Sequence, residues 1–110
     1  MEKSNLYPET TRELADKKAA LAPRTLEAWK NFSKTVFEAG ALPEKTKQLI
    51  AVAVAHVTQC PYCIRSHTKK AIRKGASKEE IMDAIWVAAE MRAGAAYSHA
   101  TISMDEMDKH

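Results

Sequence analysis

Only three glycines (Gly40, Gly75 and Gly94) and four prolines interrupt these 110 residues, so there are few places where a helix must stop. β-Branched runs are short, and apolar residues recur mostly at helical rather than alternating spacing. The pattern predicts an all-α fold, a compact bundle of five to six helices. A chain of 110 residues fits one domain, residues 1–110, with a modest core.

A first helix is expected from about Glu9 to Leu21, broken at Ala22-Pro23. A second carries Leu26, Trp29, Phe32, Val36 and Phe37 on one face and ends at Gly40 as a C-terminal cap. Leu42-Pro43-Glu44 opens a third, reaching Thr58. Its run Leu49-Ile50-Ala51-Val52-Ala53-Val54-Ala55 is apolar nearly all round, which predicts burial on several sides. Alternating valine and alanine would also suit a buried strand. The helix-forming flank Glu44 to Gln48, and the lack of a partner strand, favour the helix. A fourth helix should start at or just inside Cys60 and end at Lys74-Gly75, with Lys69, Lys70, Arg73 and Lys74 near its negative pole. Ser77 and Glu80 make a capping box for a fifth, which runs through Ile81, Ile85, Ala88, Ala89 and Arg92 toward Gly94. A last helical segment is expected from Ala95 to about Met107, followed by an acidic tail.

The apolar faces around Ile50 and Ile85 are broader than one such chain can cover, which predicts a homo-oligomer of three or more subunits. Trp29, Trp86 and the late methionines suit either an internal core or a subunit interface. A net charge of +3 is mildly basic. The pairs Lys17-Lys18, Lys69-Lys70 and Arg73-Lys74 are taken as scattered among acids, so they read as solvated helix faces and no nucleic acid is expected as a partner. No apolar run approaches the ~20 residues that span a bilayer. The polar start Met1-Glu2-Lys3-Ser4-Asn5 is unlike a signal peptide. The expected location is therefore the cytoplasm, without membrane association.

In that reducing compartment the only two cysteines, in Cys60-Pro61-Tyr62-Cys63, point to catalysis or metal binding rather than a structural staple. Thiols at this spacing can close a small disulfide and so carry two electrons. If a helix starts near Pro61, Cys60 sits where unpaired backbone N–H groups favour a thiolate. Cys63 lies one turn on, and His67 follows it by four residues on the same face. A neutral imidazole there can take the Cys63 proton, and an imidazolium can hold its thiolate. Which cysteine attacks stays open: helix placement favours Cys60, and the register of His67 favours Cys63. His56, Cys60, Cys63 and His67 also make up a set that zinc prefers, but four ligands in twelve consecutive residues must wrap the ion with one continuous stretch. His56 reads better as a core histidine bonded to a hydroxyl or carbonyl. No metal and no cofactor are expected.

Leu42-Pro43-Glu44-Lys45-Thr46-Lys47-Gln48-Leu49-Ile50, the apolar helix, Cys60-Pro61-Tyr62-Cys63, His67 and Gly75-Ala76-Ser77-Lys78-Glu79-Glu80-Ile81 together resemble the carboxymuconolactone decarboxylase superfamily. Within it they resemble the alkylhydroperoxidase D (AhpD-like) branch, over about residues 24–95. The resemblance implies helical subunits that associate, commonly as trimers or hexamers, and a redox dithiol that reduces peroxides or disulfides with electrons from a thiol donor, protein or small molecule. It implies catalytic roles for Cys60, Cys63 and His67. It also implies a relay carboxylate twelve residues before the first cysteine, where this chain has Gln48. Glutamine cannot accept a proton at neutral pH, so disulfide exchange is expected to be favoured over peroxide reduction, with Glu44 as a substitute carboxylate or merely a first-turn acid. The lactone decarboxylases of the superfamily do not depend on such a cysteine pair. That activity, and a non-redox zinc module, stand as the alternatives.

Overall fold

Helix boundaries follow the chemistry of the residues that flank them. The computed structural model, which describes residues 6–110, contains α1 (Arg12–Leu21), α2 (Pro23–Phe37), α3 (Glu44–Thr58), α4 (Pro61–Arg73) and α5 (Lys78–Met107). Among the described residues there is no strand, so the protein is all-α as expected; the polar start, residues 1–5, lies outside them. The chain divides into two compact units, Met1–Gly40 and Ala41–His110.

In the first unit, Thr11 caps α1 by accepting the Leu14 N–H at 3.2 Å, so this helix starts at Arg12 rather than near Glu9. Pro23 opens α2, where its missing N–H costs nothing. The helix stops at Phe37, because Glu38 adopts an extended backbone; Gly40 is not its cap. Trp29 and Phe32 are neighbours on α2, with ring centroids 5.8 Å apart, and both are exposed.

In the second unit, α3 packs against both α4 and α5. Val52 on α3 and Ala71 on α4 are fully buried, joined by Ala76 and Ile81, with Leu49 and Ile85 packed against them. Burying a side chain such as Val52 stabilises the fold by ~1.5–3 kcal/mol, and the small alanines let the helix axes approach. α4 ends in a Schellman turn: Gly75, at φ +92°, donates to Ile72 O at 3.0 Å, and Ala76 N–H reaches Ala71 O at 3.0 Å. Ser77 and Glu80 then form the expected capping box that starts α5.

Two expectations are corrected here. Gly94 does not end the fifth helix, which continues as one 30-residue element to Met107. One internal glycine costs ~1 kcal/mol, too little to break a helix flanked by Ala93, Ala95 and Ala96. Within the second unit, the apolar run of α3 is also not covered on several sides. Ile50 and Val54 are 47% and 52% exposed, because α4 and α5 cover only the Val52 side. Trp86, Val87 and Met91 on α5 are exposed as well, and Trp86 and Val87 line an open groove of about 690 Å³ with Leu49, Ala84 and three acids. Among the described residues, no helix is long and apolar enough to cross a membrane.

Candidate active site

The link between α3 and α4 is one residue long before the first cysteine, and it works because Gln59 adopts the left-handed conformation (φ 57°, ψ 44°). Cys60 N–H closes back onto Ala55 O at 3.2 Å, finishing α3 without a glycine. Arg92 of α5 donates to Val57 O at 3.0 Å, which satisfies a second carbonyl at this helix end. The turn delivers Cys60 to the N-cap of α4, with Pro61 in the first turn.

Cys60 and Cys63 are joined as a disulfide, with Cα atoms 5.2 Å apart, inside the usual range for such a bond. The Cys60 sulfur accepts the Cys63 N–H at 3.2 Å, so it occupies the place of a capping oxygen in the positive potential of the helix start. Both cysteines are half-buried.

His67 is the second group of the site. Its Nδ1 lies 2.8 Å from Oε1 of Gln48, a side chain from α3 that is only 5% exposed. With the amide oxygen as acceptor, Nδ1–H donates and Nε2 keeps its lone pair. Burial lowers the His67 pKa below 6.5, and the positive charge of Lys70 lowers it further. The imidazole is therefore neutral at pH 7 and able to accept a proton.

The structure thus brings Gln48 onto His67, and places His67 one turn after Cys63 on α4. Glu44 is not brought in. Its carboxylate pairs with Lys74 at 2.7 Å, at the C-terminal end of α4, whereas the cysteines stand at the N-terminal end. His56 donates from Nδ1 to Val52 O at 2.8 Å on its own helix, the carbonyl-bonded role expected of a core histidine. Among the described residues, no three His, Cys, Asp or Glu side chains are grouped closely enough to hold a metal ion. The residues that sequence reasoning missed are Gln59, Lys70 and Arg92. Gln59 carries no local signal for a left-handed residue, and Arg92 acts on a carbonyl 35 positions away.

The sequence matches the carboxymuconolactone decarboxylase family over residues 23–106. It is 63% identical over 83 residues to "uncharacterized protein 4 in cox locus" of Paracoccus denitrificans, covering 76% of this chain and 75% of that protein. A crystal structure of a Methanobacterium thermoautotrophicum protein superposes with a TM-score of 0.72 at 36% identity, covering 76% of this chain and 93% of the other. A Thermotoga maritima protein of the same family, described as a candidate participant in an antioxidative response, superposes with a TM-score of 0.56 at 26% identity, covering 74% of this chain and 94% of its own. The chain belongs to the carboxymuconolactone decarboxylase family.

Proposed function

We propose that this protein is a thiol–disulfide oxidoreductase of the AhpD-like branch, working in the cytoplasm through Cys60 and Cys63. The observation that carries the reading is the pairing of a buried Gln48 with a neutral His67, one turn from a disulfide at a helix start. The antioxidative description of the Thermotoga relative points the same way.

In the reduced protein, one thiolate attacks a sulfur of the substrate disulfide. A mixed disulfide forms and one substrate thiolate leaves. The second cysteine, its proton taken by Nε2 of His67, attacks the protein sulfur of the mixed disulfide. This step forms the Cys60–Cys63 bond and releases the second substrate thiol. Two electrons and two protons pass from protein to substrate, and an external dithiol donor restores the starting state. Gln48 acts through His67: it fixes the tautomer and takes no proton itself. With a peroxide, attack on oxygen would leave a sulfenic acid, and its resolution by the other cysteine would expel water.

Self-association completes the proposal. The exposed apolar residues of α3 and α5 need covering, and three or more copies of the chain supply the surface. The reaction is tested by mixing reduced protein with a neutral disulfide, bis(2-hydroxyethyl) disulfide, and following loss of two hydrogens within one chain by mass spectrometry. Cys60→Ser and Cys63→Ser should each abolish the intramolecular product. Activity that survives replacement of both cysteines would instead favour lactone decarboxylase-like chemistry.

A further inference from the structure

From Lys45 to Lys78 every Asp, Glu, Lys and Arg position is a Lys or Arg, and this stretch contains Gln48, both cysteines and His67. Lys45 is matched by Glu80 at 2.9 Å, and Lys74 by Glu44 at 2.7 Å. Arg65, Lys69 and Arg73 are exposed, and no ion pair reaches them among the described residues. They recur every four residues, so they form one row along α4, on the side opposite the buried Ala71. Tyr62, between the two cysteines, stands at the head of the same side and is 43% exposed. Like charges at this spacing repel one another, a cost that an acid in the same row would remove.

We infer that this row is a docking track for an acidic segment of the protein whose disulfide the Cys60–Cys63 pair reduces, an inference that rests on the thiol–disulfide reading above. Arginine suits the role, since its planar fork holds a carboxylate through two parallel hydrogen bonds. The helical rise puts Arg73 ~15 Å along α4 from Cys63, a span that an extended chain covers in about five residues. The partner's acids are therefore expected within that distance of its reacting cysteine. Lys70 carries the positive field inward from the row to His67. A two-fold contact with a second copy would oppose the row with itself; a contact of another kind between copies is an outcome that the test below separates.

Two peptides with the same internal disulfide, one flanked by glutamates and one by lysines, test the track. Each is mixed with reduced protein, and oxidation of the cysteine pair is followed by acid quench and mass spectrometry. The acidic peptide should react about tenfold faster at low ionic strength, and the difference should collapse near 0.5 M salt, where the screening length falls to ~4 Å. Combining Arg65→Gln, Lys69→Gln and Arg73→Gln should abolish the preference, and combining Arg65→Glu, Lys69→Glu and Arg73→Glu should invert it. All variants should react like the parent with bis(2-hydroxyethyl) disulfide. Equal rates for the two peptides, a preference untouched by the substitutions, or a changed particle mass in the variants would each overturn the track, the last by making the row a contact between copies. A parent protein inert even to the neutral disulfide would overturn the thiol–disulfide reading instead. Binding of the same peptides with serine in place of cysteine, read by fluorescence anisotropy, would then decide the track: tighter binding of the acidic peptide supports it, and equal binding refutes it.

Discussion

Gln48 of α3 and His67 of α4 meet at 2.8 Å, and the oxygen that faces the imidazole belongs to an amide rather than a carboxylate. The amide orients the ring but gives it no charge to lean on. With burial and Lys70 both lowering its pKa, His67 is a neutral base at pH 7 and has little proton to give. Disulfide exchange expels a thiolate, which leaves readily without a proton. Peroxide cleavage expels an alkoxide or hydroxide and gains more from a general acid, whose assistance is typically worth ~10²–10⁴-fold.

Gln48→Glu should therefore raise peroxide turnover more than disulfide turnover. A carboxylate on Nδ1 favours the imidazolium, so the His67 pKa should rise and its base form should appear only at higher pH. Steady-state rates with both substrates across pH 5–9 read both effects. Equal changes in the two reactions, or a parent already fast with peroxide, would remove Gln48 from the mechanism.

Lys70→Gln removes the second cause of the lowered His67 pKa and leaves the first, burial. The acidic limb of the pH–rate profile should move upward, yet remain below the ordinary histidine value. Stability follows the same linkage. The unfolded chain binds the His67 proton more readily than the folded one, so stability is full above about pH 6.5 and declines as pH falls through the lowered value. His67→Asn should flatten that decline in urea titrations, and an unchanged slope would mean that His67 does not titrate as described.

Gly94→Ala should stabilise the protein by ~0.5–1 kcal/mol through helix propensity. A methyl at this position meets only the Glu90 side chain of the same helix, at 3.3 Å, and that flexible carboxylate can move aside. Denaturant midpoints with an unchanged slope would register the gain. A loss of stability would mean that another surface approaches Gly94 closely.

Much of this was legible in the sequence because the signals were local. Ser77 with Glu80, Pro61 after Cys60, and Gly75 after Lys74 each mark a helix end through atoms a few residues apart. The register from Cys63 to His67 is likewise a property of one helix. Gln48 could be placed at the site only by resemblance to a family, since nothing within its own helix directs it to His67. Gln59 in the left-handed region, Arg92 on Val57 O and Lys70 beside His67 depend on how α3, α4 and α5 meet. Gly94 misled because glycine is both a helix stop and a tolerable helix residue, and only the surrounding alanines decide between them. The charge reading missed the acid-free stretch because a near-balanced total hides a local excess; Lys45 and Lys74 find their acids at Glu80 and Glu44, while Arg65, Lys69 and Arg73 find none among the described residues.

The exposed side of α3 supplies the last prediction. Ile50 and Val54 lie one turn apart, and each is about half exposed in the single chain. A charge placed there meets water if the protein is a monomer and an apolar contact if copies assemble. On a monomer, Val54→Lys should shift stability by no more than ~0.5 kcal/mol, as most surface changes do. In an assembly, the same lysine would be buried without a partner, at a cost of several kcal/mol per contact. We expect the parent chain to scatter light as three or more copies at micromolar concentration and Val54→Lys to scatter as a smaller species. The parent's melting temperature should rise with protein concentration, because assembly stabilises the folded state by mass action, and that of the variant should not. Val54→Ala serves as the control: it removes apolar area without adding charge, so it should weaken the assembly less. A parent that scatters as a monomer, with a melting temperature independent of concentration, would refute the assembly and leave the exposed face of α3 unexplained.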